Sequence, residues 1–251
     1  MKCFIDSKAL SNITATPIPL FGFRPPFLDF LDLLLVGGLS SGRWRFFGDF
    51  ENQNLYGAGK KRGEIVLSER VGELTAFSLR TNCRNSPRIA SLTCLLGGLT
   101  PNYKRILRPD NGIEPEFLYY SEKEEQEALL CGVLEKLRAQ GVDGQEIVIL
   151  SPRTDFSSLA AQIRKEPWRS RLSPFGQKSG GRIGYCSVHS FKGLEAPVVI
   201  VTDIEHVKGE VARDLFYVAI TRALHKLTIL ASQNGRDEIV SFLRGKPAVQ
   251  P

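Results

Sequence analysis

The side chains with the most chemical potential in this sequence cluster in two stretches. The first, Ser187-Val188-His189-Ser190-Phe191-Lys192-Gly193-Leu194-Glu195, is a polar turn between two apolar runs. The second, Leu215-Phe216-Tyr217-Val218-Ala219-Ile220-Thr221-Arg222-Ala223, closes an apolar segment with one threonine and one arginine. Taken singly, these groups have structural uses: Arg222 can pair with Asp214 or Glu195, and His189 can satisfy a strand-end carbonyl. Their position argues for more. Ligands in open α/β sheets bind outside the carboxyl ends of the strands, and the turns here are expected at strand ends. Other chemistries find little support, because no carboxylate pair and no Ser/His/Asp ordering points to hydrolysis of a different kind. Gly57-Ala58-Gly59-Lys60-Lys61-Arg62-Gly63 has the composition of a phosphate loop but not its spacing. A P-loop needs Gly, four residues, then Gly-Lys-Ser/Thr, so that amides cradle phosphate and a hydroxyl reaches magnesium; Lys61 stands at the hydroxyl position. A flexible basic linker is the better reading.

Together the two stretches closely resemble motifs V and VI of the superfamily one helicases of the UvrD/Rep type. Two motifs of this length in the family's order are far more specific than a single glycine-rich turn. The resemblance continues upstream. Gly48-Asp49 followed by Gln53 resembles motif III, with Gln53 one residue further from Asp49 than is usual. Asn82-Cys83-Arg84-Asn85 resembles motif IV, with Cys83 in place of the aromatic that commonly stacks on the nucleotide base.

The resemblance implies that ATP lies between two RecA-like motor domains, the second of which this chain supplies. Arg222 would act as an arginine finger on the γ-phosphate and Arg84 would assist. Glu195, beside Gly193, would accept a hydrogen bond from the ribose, and Gln53 would link nucleotide state to the nucleic-acid track. Ser187, His189 and Lys192 would lie near the backbone of DNA, expected to be single-stranded. ATP would come with magnesium held through a P-loop of another domain or chain. That expectation follows from an absence: the sequence contains no Gly-Lys-Ser/Thr, and its Asp-Glu pair, Asp237-Glu238, has no apolar strand before it. The chain thus resembles the rear of a motor, beginning just before motif III.

Positioning these residues calls for alternating strands and helices, hence a parallel sheet with helices on both faces. A helix is expected over 27–36 and a strand over 43–48, then a strand over 76–79 and a helix over 87–96. Strand Glu116–Tyr120 leads into a capping box, Ser121 with Glu124, and a helix whose apolar positions Leu130, Val133, Leu134 and Leu137 end at Gly141. The acidic residues Glu122, Glu124, Glu125 and Glu127 suit the positive end of that helix. Strands follow at 147–150, up to Ser187, at 198–201 and at 227–231. A helix from about Arg213 to Leu224 carries Thr221 and Arg222 on its last turn, and a short helix is expected over 237–243. Residues 164–182 hold Arg164, Lys165, Arg169, Arg171, Lys178 and Arg182 against Glu166, with Trp168 and Phe175 interleaved. They fit a track for a single strand, with Arg169 and Arg171 as candidate contacts, and equally a solvated loop with one aromatic in the core. The domain reading is an irregular segment over 1–26, a remnant of the first RecA-like domain over 27–63, a second RecA-like domain over 64–233 and a tail over 234–251.

Composition is compatible with all of this. The formal charge of +6 favours an anionic partner and also fits ordinary solubility. The five cysteines are widely spaced and include no C-x-x-C pair, so neither a disulfide framework nor a zinc site is indicated, and no metal ligands are assigned. A reducing cytosol is expected, with no membrane association, because the apolar run at 27–37 is broken by Asp29 and Asp32.

Overall fold

The computed structural model describes residues 2–5, 25–48, 63–72, 75–97, 103–177 and 180–244. The chain divides into two compact units, Met1–Arg80 and Thr81–Pro251.

The first unit contains β1 (Lys2–Ile5), α1 (Pro25–Leu34), α2 (Gly38–Ser41), β2 (Arg45–Gly48), α3 (Gly63–Val71) and β3 (Thr75–Ser78). Its strands form an antiparallel sheet in the order β2-β1-β3. Asp32 caps α2 by accepting from the Leu39 amide at 2.6 Å, and buried Trp44 donates its indole N–H to the Leu39 carbonyl at 2.7 Å. Gln53, Asp49 and the basic linker lie outside the described residues.

The second unit opens with β4 (Thr81–Asn82), α4 (Pro87–Gly97), β5 (Arg105–Ile106), β6 (Glu116–Tyr120) and α5 (Lys123–Ala139). It continues through β7 (Ile147–Ser151), α6 (Leu159–Gln162), α7 (Trp168–Arg171), β8 (Leu172–Pro174) and β9 (Ile183–Ser187). It closes with β10 (Ala196–Ile204), α8 (Glu210–Ile220), β11 (Ala223–Ser232) and α9 (Gln233–Arg244). Six strands form one sheet in the order β6-β11-β10-β7-β9-β8, and every pairing is parallel. The near-continuous apolar runs of β7, β10 and β11 reflect burial on both faces. On one face Ile147, Ile149, Val198 and Ile200 pack with Leu130, Leu134 and Leu137 of α5, Leu159 of α6 and Trp168. Residues of the opposite register, such as Val148, Leu150, Val199 and Val201, turn to the other face, where α4, α8 and α9 lie. This is the parallel sheet covered on both faces that the sequence pattern predicts.

Three local expectations are corrected and one acidic residue gains a further role. The capping box is displaced by one residue: Glu125, not Glu124, accepts from the Ser121 amide at 2.7 Å, and the N-cap residue is Glu122. Glu127, assigned to the helix dipole, also accepts from the amides of Arg164 and Lys165. The helix expected to reach Leu224 ends at Ile220, with Thr221 as its C-cap, so Arg222 stands beyond the helix. Residues 164–182 are not one loop. They contain α7 and the edge strand β8, whose first residue Leu172 pairs with Ile183. Trp168, at 1 % exposure, is part of the core, while Phe175 meets Phe191 edge-to-face at 4.9 Å. No helix among the described residues is long and apolar enough to cross a membrane.

Candidate functional site

In a parallel sheet all strands share one direction, so each side chain near a strand end belongs to one of two edges. Glu195 immediately precedes β10 and Arg222 immediately precedes β11, and Ala196 pairs with Ala223. Both are therefore at the amino-terminal edge. Ser187 ends β9, pairs with Ser151 and is level with the far part of β10. About six residues of strand, roughly 20 Å, separate its level from that of Glu195. The sequence reading placed all these turns beyond the carboxyl ends. The structure assigns only Ser187–Ser190 to that edge, because residues 188–195 form a crossover from one edge to the other.

At the amino-terminal edge three segments converge. Asn82 Oδ1 accepts from the amides of Arg84 and Asn85 at 2.9 and 3.0 Å, an arrangement that bends the chain tightly before α4. Asn85 Nδ2 then donates to the carbonyls of Thr221 and Ala223 at 3.1 and 2.7 Å, and the Ser86 amide donates to Leu224 O at 3.0 Å. These bonds fix the 82–86 turn against the start of β11. Arg84 Nε donates to Glu195 Oε2 at 2.7 Å, with side-chain exposures of 36 % and 46 %. So exposed an ion pair stabilises the fold by only about 0–1 kcal/mol. Sequence reasoning singled out Arg84 but missed Asn82 and Asn85; their signal was the pair of Asx residues bracketing Cys83-Arg84.

Arg222 belongs to the same cluster but is oriented inward. It is 2 % exposed; Nε donates to Val218 O at 3.0 Å, Nη1 to Leu194 O at 3.3 Å and Nη2 to Thr221 Oγ1 at 3.2 Å. Its own carbonyl accepts from the Ala196 amide at 3.1 Å. Glu195, one of the partners entertained from sequence, has its Oε2 engaged by Arg84.

At the carboxyl-terminal edge, the Ser187 amide donates to Asp155 Oδ1 at 2.6 Å and its hydroxyl shares a 2.8 Å hydrogen bond with Ser190. His189 and Lys192 are half-buried, and Gly193 has φ +89°, a conformation that glycine adopts without strain. Arg169 and Arg171 are exposed, but Arg171 immediately precedes β8 and so marks the amino-terminal edge. The candidate nucleic-acid residues are thus divided between edges.

A residue with no role in the sequence reading organises the carboxyl-terminal edge. Asp203 is 4 % exposed and has φ +61°, unusual for a residue other than glycine. Its Oδ2 accepts from Ser151 Oγ at 2.8 Å, Thr202 Oγ1 at 3.0 Å and the Leu159 amide at 3.1 Å. Arg153 lies beside it, with Nε 3.9 Å from Oδ1, and also pairs with Glu205. β7 leads to α6 on one face and adjacent β10 leads to α8 on the other, so this is the crevice where connections diverge.

Burial, and secondarily the charge of Asp155, pushes the Cys186 thiol up to about 12. Cys83 is exposed, whereas Cys131 and Cys186 are buried. Native protein treated with a maleimide at pH 8 is expected to label at Cys83, with Cys131 and Cys186 reacting only after denaturation; peptide mapping reads the result, and rapid native labelling of Cys186 would contradict the packing of β9. Among the described residues no group of three or more His, Cys, Asp or Glu side chains is arranged to hold a metal ion.

Residues 185–230 match the family of UvrD-like helicase C-terminal domains. That stretch, 46 of the 251 residues, is what is similar to the family. The match runs from within β9 to within β11 and so contains the crossover, α8 and Arg222. A solved structure described as the C-terminal domain of a possible DNA helicase from Lactobacillus plantarum WCFS1 is also similar, with 18 % identity and a TM-score of 0.46, covering 60 % of this chain and 87 % of that one. No curated protein matches the chain. Within the matched stretch, Glu195 and Arg222 hold one edge of the sheet and Ser187 and His189 lie at or just beyond the other.

Proposed function

We propose that this chain provides the carboxyl-terminal motor domain of an ATP-dependent DNA helicase or translocase and does not turn over ATP by itself. The observation that carries this reading is the convergence of Arg84, Glu195 and the Arg222 segment on one edge, with Ser187 and His189 at the opposite edge of the same sheet. The exposed Arg84–Glu195 pair offers a cation for phosphate oxygens and a carboxylate for a ribose hydroxyl, a donor set that suits a nucleoside triphosphate. Such a nucleotide would supply the phosphoryl-transfer free energy, with magnesium and a P-loop contributed from outside this sequence. The chain's own residues then have defined tasks: Arg84 neutralises phosphate charge, Glu195 orients the sugar, and Ser187, His189 and Lys192 meet the backbone of single-stranded DNA.

A second reading, a nucleic-acid-binding module without motor function, is favoured by the burial of Arg222, whose guanidinium is committed to internal acceptors. ATPase assays of the chain alone, and mixed with a P-loop-bearing UvrD-type amino-terminal motor domain, separate the two. The motor reading expects no turnover alone and DNA-stimulated turnover in the mixture, lowered about 10²–10³-fold by Arg84→Ala. Turnover by the chain alone, or an Arg84→Ala mixture as active as wild type, would refute it. Salt-sensitive DNA binding indifferent to nucleotide would support the module.

A further inference from the structure

The two outer strands of the six-stranded sheet are finished differently. β8 is three residues long and ends in Pro174, which has no amide to offer a further strand. β6, on the other side, is Glu116-Phe117-Leu118-Tyr119-Tyr120, without proline, lysine or bulge, and among the described residues its outer edge pairs with no strand. Beside that edge, between β6 and α5, runs a groove of about 330 Å³ floored by Leu118, Ala128, Leu129 and Gly132 and rimmed by Glu125 and Lys136. Phe117 and Tyr119, stacked at 6.5 Å, lie on the opposite face of the strand, with Arg236 of α9 over the Tyr119 ring. We infer that β6 pairs antiparallel with β6 of a second copy of this chain, so that the two sheets become continuous and the two α5 helices meet over the axis between them. The inference is independent of the motor reading.

A second copy is the occupant that fits, because the edge is complementary to itself about a two-fold axis. With the axis at Leu118, that residue meets the partner's Leu118, and Phe117 meets the partner's Tyr119, giving an aromatic pair on each side of the axis. The same axis suits the helix. Lys136 bonds Glu116 at 3.1 Å and Glu125 accepts from the Ser121 amide at 2.7 Å, so α5 runs back antiparallel to β6. Glu116 to Ser121 in the strand spans the same roughly 16 Å as Lys136 to Glu125 in the helix. Leu118 is therefore level with about residue 131 of α5, close to the midpoint between Ala128 and Gly132. An axis there sets Ala128 against the partner's Gly132, both small and exposed, and lets the helices approach. It also sets Glu125 opposite the partner's Lys136, and each has capacity for a further hydrogen bond. An unrelated strand would gain the backbone bonds without this match of strand and helix about one axis.

The test uses the full chain, 27.9 kDa, in sedimentation velocity over a concentration series, with Cys83→Ser as the common background for cysteine variants because Cys83 is exposed. The wild type is expected to sediment as a dimer at about 50 µM and to dissociate on dilution. Gly132→Glu is expected to raise the dimer Kd about a hundredfold or more and to keep the wild-type Tm. In one chain a Cβ at Gly132 meets nothing within 4 Å, whereas in the dimer the new side chain stands where the partner's α5 must approach. Leu118→Cys, on the axis, is expected to form a disulfide-linked dimer on mild oxidation, and Glu116→Cys, opposite the partner's Tyr120, is not. A wild type that stays monomeric throughout, or a dimer that Gly132→Glu leaves intact, overturns the proposal. So does a dimer in which Leu118→Cys links no better than Glu116→Cys, since the contact then lies elsewhere. A monomeric chain that captures a strand-forming peptide at β6 assigns the edge to another protein and overturns it as well.

Discussion

Arg222→Ala is expected to destabilise the second unit by about 3 kcal/mol, lowering its Tm by roughly 6–12 °C, before any effect on nucleotide chemistry is counted. The guanidinium is almost fully buried and supplies donors to Val218 O, Leu194 O and Thr221 Oγ1. Truncation leaves these acceptors without them and opens space where α8 ends and the crossover passes. Urea denaturation of wild type and variant measures the loss. In an assembled ATPase the same substitution is also expected to reduce turnover by roughly three to five orders of magnitude if the side chain acts as an arginine finger. The two effects separate at a temperature where both proteins are fully folded. A folded variant with unimpaired assembled turnover would leave Arg222 a purely structural role. An arginine-finger role would require the side chain to exchange the Val218 and Leu194 carbonyls for phosphoryl oxygens.

Asp203→Ala is expected to cost about 3–5 kcal/mol, from three donors left without their acceptor and from a backbone that alanine tolerates poorly. Ser151 Oγ, Thr202 Oγ1 and the Leu159 amide all converge on Oδ2. At φ +61° an aspartate is tolerated and an alanine is disfavoured by about 1 kcal/mol or more. The order of damage is therefore asparagine least, then glycine, then alanine: asparagine keeps an acceptor oxygen and the conformation, glycine keeps only the conformation. Midpoints of chemical denaturation measure the series. A glycine variant less stable than the alanine variant would show that the left-handed backbone carries no cost.

The parallel sheet was legible because its strands are apolar runs separated by turn residues, and Glu116–Tyr120 and the end of β9 at Ser187 follow the sequence pattern directly. The edge to which each motif residue belongs was not legible. Ser187 and Glu195 are eight positions apart, and nothing in their spacing tells whether the intervening chain turns back or crosses the sheet. β8 was hidden because three residues within a basic, arginine-rich stretch carry no period. The inward orientation of Arg222 was hidden for a different reason: a motif records which groups are present, whereas exposure depends on where α8 stops, two residues earlier. Asp203 was passed over because a Thr-Asp pair at the end of an apolar run has no distinguishing pattern until Ser151 and Leu159 are brought to it by pairing between β7 and β10.

The crossover at 188–195 has mechanical meaning. Val188 and Phe191, each 1 % exposed, rivet it to the core, the Val188 amide is bonded to Ser151 O, and beyond its far end the Ala196 amide is bonded to Arg222 O. The strap is fastened at both ends and in the middle, and Gly193, with its φ of +89°, takes the one backbone conformation in it that favours glycine. The same eight residues therefore join the point where Arg84 meets Glu195 to the rim that holds Ser187.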